Sequence, residues 1–322
     1  MFKHESIATN AGGIHVIRWG NTRDWVLGLK VVTGEGKLLE LNGSLFKNQA
    51  GYDLRAHFIG SEGTLGVITE ATLKLCSPPK NPSRLLCGLS QTGAVLEVLK
   101  ALRNKFSRLN MFEFFMKDSI ELVMKHHGLG NPFQELYPVY ILVELDDEEE
   151  IEEQCMQLVE DGLISDIVIG QNSKQDSDLL SYRELISETL SSHFTIHKND
   201  ISIPVSTLTD FLNDLSDLSK EIYPKDEVVL FGHAADGNLH LNVLKTSDKS
   251  DEDFYSYCHS ADHKVFELVQ RYKGSVSAEH GVGLLKKDFL SYSRTEDEIE
   301  YMRKIKAVFD PDGILNPGKI FD

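Results

Sequence analysis

Residues 227–244, EVVLFGHAADGNLHLNVL, constrain the fold of this 322-residue chain more than any other stretch. Two β-prone segments flank an Ala-Asp-Gly-Asn turn, the pattern of a strand that reverses and returns as its own antiparallel neighbour. An isolated hairpin is marginal in water, so it requires further strands and a covering layer of helices. Elsewhere strand and helix signals alternate without a repeat, and the fold class they predict is α+β.

The amino-terminal 75 residues read as strands and turns. Segments 26–32 and 37–41 are two strands joined at Gly34-Glu35-Gly36, and a third strand covers 67–75. The stretch SPPKNPS, residues 77–83, reads as a linker, because Pro and Ser interrupt a strand. Beyond it, apolar Val95, Leu96, Leu99 and Leu102 predict a helix over 93–106. A strand is expected at 111–116, a helix at 118–127 and a strand through PVYILVEL. The run DDEEEIEEQ reads as a solvated helix start, its carboxylates favoured at the positive end of the dipole. Helices over 251–272 and 296–309 complete the series.

Composition excludes several classes. Lys plus Arg number 33 against 50 Asp plus Glu, a net charge of -17. That balance argues against a nucleic-acid partner, which needs basic surface, but permits a local cationic pocket for a small anion. No apolar run approaches the roughly 18 residues of a membrane span. Cys76, Cys87, Cys155 and Cys258 form no CxxC pair and read as buried free thiols in a reducing compartment. MFKHESIATNAGG shows no targeting signal.

The hairpin also carries chemistry. His233 ends one strand and His240 opens the next, so the turn can bring their imidazoles together, and Asn242 shares the face of His240. Glu279 lies downstream beside His280 and Gly281. His233, His240 and Glu279 together would offer two imidazoles and a carboxylate with one position open, the pattern of a catalytic Zn2+. Spacing alone leaves a plainer alternative standing: two histidines satisfying ordinary hydrogen bonds. The glycines of Asn10-Ala11-Gly12-Gly13 and of Gly60-Ser61-Glu62-Gly63-Thr64-Leu65-Gly66 pose the same choice. They permit close approach to a phosphate or flat ring, or they are simply turns. Neither is a Rossmann fingerprint or a P-loop.

NAGG, GYDLRAHFIGSEGTLGVIT, HAADGNLHLNV, SAEHGVG and ILNPGK occur in this order over essentially the whole chain. In that order the chain resembles the flavin-linked D-2-hydroxyacid dehydrogenases, within the vanillyl-alcohol-oxidase-like flavoproteins. YRELISETLSSHFTIHKNDISIPV is similar to the substrate segment of the branch acting on D-2-hydroxyglutarate, and D-lactate and glycolate are substrates of sister branches. The resemblance implies residues 1–76 as the second lobe of an FAD-binding domain, the family's first lobe having no counterpart here. It further implies a cap domain over 77–309, an antiparallel sheet flanked by helices, and a return of 310–322 to the flavin lobe.

Site residues follow from the same resemblance. Zn2+ ligands fall on His233, His240 and Glu279, and the active-site base on His280. Substrate contacts fall on Arg183, Ser187, Lys198 and Asn242. FAD contacts fall on Asn10, Gly12, Gly13, Gly63, Thr64, Gly66, Ile68 and Asn316. Arg183 and Ser187 stand one helical turn apart, where Arg183 can grip a carboxylate with two donors and Lys198 a second one. The plain alternative for Arg183 is a salt bridge to Glu184 or Asp200. The implied activity is oxidation of a D-2-hydroxy acid to the 2-oxo acid, with electrons passed to an electron-transfer flavoprotein or a quinone. Its implied location is the cytoplasm of a bacterium or the mitochondrion of a eukaryote. The rival expectations are a non-catalytic truncated remnant or subunit that needs a separate chain for the missing flavin lobe, and a cap-like metal- or carboxylate-binding module without redox activity; a homodimer partner is a further expected partner.

Overall fold

The computed structural model describes residues 4–79, 82–146 and 151–321. The chain forms two compact units. The first comprises Met1–Gly13, Trp19–Pro78 and Val276–Asp322; the second comprises Ile14–Arg18 and Pro79–Ser275. Residues 276–309, expected in the second domain, thus group with the first.

In the first unit, β1 (Val26–Thr33), β2 (Leu38–Leu41) and β3 (Gly66–Leu73) form an antiparallel sheet in the order β2-β1-β3. Ile7, Val26, Leu29, Val31, Phe58, Ile59 and Leu65 build its core. The helix Glu296–Phe309 contributes Phe309, whose ring meets Phe58 edge-on at 4.9 Å. A Thr295/Glu298 capping box starts that helix by satisfying backbone N–H groups at its first turn. Short helices at His4–Ala8, Val16–Trp19, Thr22–Trp25 and Arg55–Phe58 correct the expectation of strands and turns alone. They run only four or five residues, too short for periodicity to reveal them.

The second unit is built on a seven-stranded sheet. Its strands are β4 (Pro82–Leu89), β5 (Leu109–Met116), β6 (Val139–Asp146), β7 (Asp166–Ile169), β8 (Ile196–Ser202), β9 (Glu227–His233) and β10 (Asn238–Leu244). They lie in the order β7-β4-β6-β5-β9-β10-β8, and every pairing is antiparallel. The linker reading of 77–83 overran: Pro82 opens β4 opposite Asp146, and the first residue of a strand tolerates proline. Of the acidic run, residues 147–150 lie outside the described residues, and a helix follows at Ile151–Glu160.

β6 is buried along its whole length, and Phe115 stacks on Tyr140 at 5.6 Å. One face of the sheet packs on the helices Lys117–His127 and Ser173–His193 through Phe115, Tyr140, Leu142, Leu179, Ile186 and Phe231. Each such side chain contributes roughly 1.5–3 kcal/mol on burial. Asn172 begins the long helix by accepting from the N–H groups of Lys174 and Gln175, both at 3.1 Å. Cys87, Cys155 and Cys258 are buried free thiols, as expected; Cys76 is exposed, because the chain has left β3 there. No helix among the described residues is long and apolar enough to cross a membrane.

Candidate functional site

Strand register gathers polar side chains on the sheet face that carries the Ser173–His193 helix. His240 lies opposite Phe231 on one side and Asp200 on the other; Asn242 lies opposite Val229 and Lys198. His233 pairs with Asn238, so the two histidines are diagonal neighbours on one face. β5 adds Glu113, because Phe115 pairs with Phe231 and the next same-face position falls level with His233.

Glu113 is 1% exposed and His233 6%. Its Oε1 lies 2.7 Å from His233 Nδ1. A carboxylate can only accept, so the imidazole donates through Nδ1 and turns Nε2 away from Glu113. That Nε2 faces the Nε2 of His240 at 3.3 Å. Two nitrogens each about 2.0–2.1 Å from one tetrahedral ion stand roughly 3.3 Å apart, so the pair fits a Zn2+ ligand edge. The carboxylate behind His233 is the usual outer partner of a metal-binding imidazole. His240 turns its Nδ1 toward Asp200 Oδ1, 3.7 Å away.

Arg183 is buried against the same group. Its Nη2 is 2.8 Å from Glu113 Oε2, and its guanidinium lies 4.6 Å from the Phe231 ring centre. Its salt-bridge partner is Glu113, not the Glu184 or Asp200 of the plain alternative. Glu184 sits on the exposed side of the helix, and Asp200 accepts from Asn238 Nδ2 at 2.7 Å. Among the described residues Arg183 Nε is buried with no hydrogen-bond partner, a donor able to take a ligand oxygen.

Ser187 and Ser191 follow Arg183 at successive turns. Ser187 is exposed, and Ser191 Oγ accepts from Lys198 Nζ at 2.8 Å. Lys198 is largely exposed, and partial desolvation of its ammonium still pulls its pKa below the ordinary value. Asn242 donates its amide to the carbonyls of His240, at 3.1 Å, and Val229, at 3.4 Å. Arg183, Lys198, His233, His240 and Asn242 thus share one face of the second unit.

The remaining residues lie in the first unit. Asn10 takes a left-handed φ of 53° and accepts from Arg23 N–H at 2.9 Å. The segment with Gly12 and Gly13 is half-buried, and nothing lies within 4 Å of where a Gly13 Cβ would stand, which leaves room beside that backbone. Thr64 is buried and donates to Ser61 O at 2.7 Å. Gly66 has a packing explanation, since a Cβ there would come within 2.4 Å of Val31 and 2.9 Å of Phe58. Ile68 pairs with Val31 and joins the core. Asn316 donates its amide to Glu62 O. Glu279 and His280 occupy the loop after Ser277, with His280 Nε2 3.9 Å from Glu279 Oε1.

Sequence reasoning missed Glu113 and Asp200. The available signal was a lone carboxylate inside the apolar run MFEFFM, and a second within the polar strand IHKNDIS. A buried charge in such a place needs a partner.

The chain is similar to known proteins over nearly its whole length. The family "FAD linked oxidases, C-terminal domain" matches residues 78–320, and "FAD binding domain" matches residues 6–42. A D-2-hydroxyglutarate dehydrogenase of Stutzerimonas stutzeri is 48% identical over 98% of this chain and 69% of its own length. The mitochondrial D-2-hydroxyglutarate dehydrogenase of Bos taurus is 39% identical over 98% of this chain and 58% of its own. Among solved structures, an alkyldihydroxyacetonephosphate synthase aligns with a TM-score of 0.63 at 16% identity, over 97% of this chain and 57% of that one. A 4-ethylphenol oxidase from Gulosibacter chungangensis aligns with 0.64 at 14% identity, over 92% and 66%. At these identities the solved structures speak for the fold alone.

Proposed function

The chain belongs to the FAD linked oxidases and is an FAD-dependent hydroxyacid dehydrogenase, and from that premise we propose that it oxidises D-2-hydroxyglutarate to 2-oxoglutarate. The observation that carries the reading is the facing pair of His233 and His240 Nε2 atoms, backed by Glu113 and beside Lys198 and the unpaired Arg183 Nε. The relatives do not favour a non-catalytic subunit.

In this reading His233, His240 and Glu279 would hold Zn2+, and Asn10, Gly12, Gly13, Gly63, Thr64 and Asn316 of the first unit would line the FAD site, with Gly66 and Ile68 shaping it from the core beneath. Bound Zn2+ supplies Lewis acidity that makes the substrate hydroxyl easier to deprotonate. Bound FAD would supply the hydride acceptor for oxidation at C2. The protein's own groups do the rest. Arg183 and Ser187 hold the carboxylate next to the reacting carbon, Lys198 holds the distal one, and Asn242 fixes the orientation. His280 accepts the hydroxyl proton. Two cationic contacts suit a dicarboxylate better than lactate or glycolate. Turnover would need an electron acceptor, an electron-transfer flavoprotein or a quinone.

Anaerobic addition of D-2-hydroxyglutarate to the purified, FAD-loaded protein tests this. Bleaching of the flavin band with stoichiometric 2-oxoglutarate is expected, with no bleaching by the L enantiomer. Faster bleaching by D-lactate would overturn the substrate assignment.

A further inference from the structure

We infer that Glu62 is the positioning residue for the loop that carries Glu279 and His280. Its carboxylate grips that loop by the backbone. Oε1 accepts the N–H of Val282 at 2.8 Å, and Oε2 accepts the N–H of Gly283 at 2.7 Å. Both oxygens are used on successive amides, the geometry of a backbone concavity that holds an anion. Charge-assisted bonds of this kind are roughly twice as strong as neutral ones.

The surroundings fit the same role. Glu62 itself adopts a left-handed φ of 52°, which costs a non-glycine residue energy that the surrounding structure must offset. Its own N–H donates to Ala8 O at 2.8 Å, and its carbonyl accepts the Asn316 amide. All four polar handles of one residue are thereby committed. On the loop side, Gly281 has φ 80°, and a Cβ there would stand 2.8 Å from the Glu62 carboxyl. Ser277 Oγ donates to Gly281 O at 2.7 Å and closes the loop on itself just before the gripped amides. Glu279 and His280 lie inside this closed segment, two to four residues from the two amides. Nothing in the flavin-binding reading of SEGTLG uses the Glu62 side chain, and its contacts point to the loop instead.

The inference rests on the reading of Glu279 as a metal ligand, so its test has two arms. Amide exchange over residues 276–286 measures the tether. In Glu62→Gln one of the two N–H groups faces an amide NH2, and exchange of that segment should accelerate at least tenfold while β9 and β10 stay unchanged. Zinc affinity by chelator competition measures the positioning. Glu62 acts on Glu279 through the Val282 and Gly283 amides, so Glu62→Gln should bind zinc more weakly than wild type at unchanged thermal midpoint, with Glu62→Ala at least as weak. Unchanged exchange in Glu62→Gln overturns the tether. Equal zinc affinity of wild type and both variants overturns the positioning role. A wild type that binds no zinc fails the ligand reading instead, and the exchange arm then decides whether Glu62 holds the loop.

Discussion

Glu113 Oε1 lies 2.7 Å from His233 Nδ1 across two neighbouring strands, and the same carboxylate meets Arg183 through its other oxygen. One buried group therefore sets the proton position on a candidate metal ligand and balances the charge of a candidate substrate contact.

Removing it should be felt in two assays. Glu113→Ala strands a buried guanidinium, and breaking such a pair typically costs about 3–5 kcal/mol, visible as a lower urea midpoint. Glu113→Gln keeps an acceptor for Nδ1–H but loses the charge. It should fold and bind zinc about 10–100-fold more weakly, the range for an outer-shell change. Wild-type zinc affinity in Glu113→Gln would show that the carboxylate does not tune His233.

Lys198 gives a pH signature. A lysine is charged below its pKa, and partial desolvation lowers that of Lys198. Its hold on the distal carboxylate should therefore fade as pH rises, at a lower pH than the roughly 10.4 of an unperturbed lysine. The alkaline limb of kcat/KM for D-2-hydroxyglutarate should shift upward in Lys198→Arg. Lys198→Ala should penalise the dicarboxylate more than D-lactate. Equal losses on both substrates would refute the assignment of the distal contact.

Acid stability reports a second buried cluster. Burial alone would raise the pKa of Glu144, but hydrogen bonding from His15 and the charge of Arg84, 2.8 Å away, outweigh it and lower the pKa overall. A carboxyl lowered on folding contributes stability that is full above its unfolded value of about 4.3 and is lost as pH falls through the folded value. Arg84→Met should therefore be less stable than wild type at neutral pH, and the difference should shrink as pH drops below about 4. A gap that widens in acid would contradict the ion pair.

The turn between the histidines tolerates little. Gly237 has φ 80°, and a Cβ there would stand 2.0 Å from Ile203 O. The left-handed backbone alone costs an alanine roughly 1–2 kcal/mol, so Gly237→Ala should lose at least that much by denaturation and weaken zinc binding with it. A neutral effect would mean that the turn relaxes without moving His233.

The hairpin, the central strands and the helices of 251–271 and 296–309 were legible because their apolar spacing matches one period. β8 was not: IHKNDIS carries Lys198 and Asp200 toward the site, while His197 and Asn199 meet Asp262 at 2.9 Å and 2.6 Å on the other side. A strand polar on both faces shows no alternation of hydrophobicity. β7 has only four residues. The metal pair was visible from the hairpin, whereas Glu113 depends on β5 lying next to β9, a pairing between segments 120 residues apart that periodicity cannot report.

Metal analysis of the purified protein, beside His240→Ala, tests the central claim most directly. The account predicts about one Zn2+ per chain in the wild type, as for a single three-ligand site, and its loss in the variant with the fold intact. Full zinc retention by His240→Ala would contradict it.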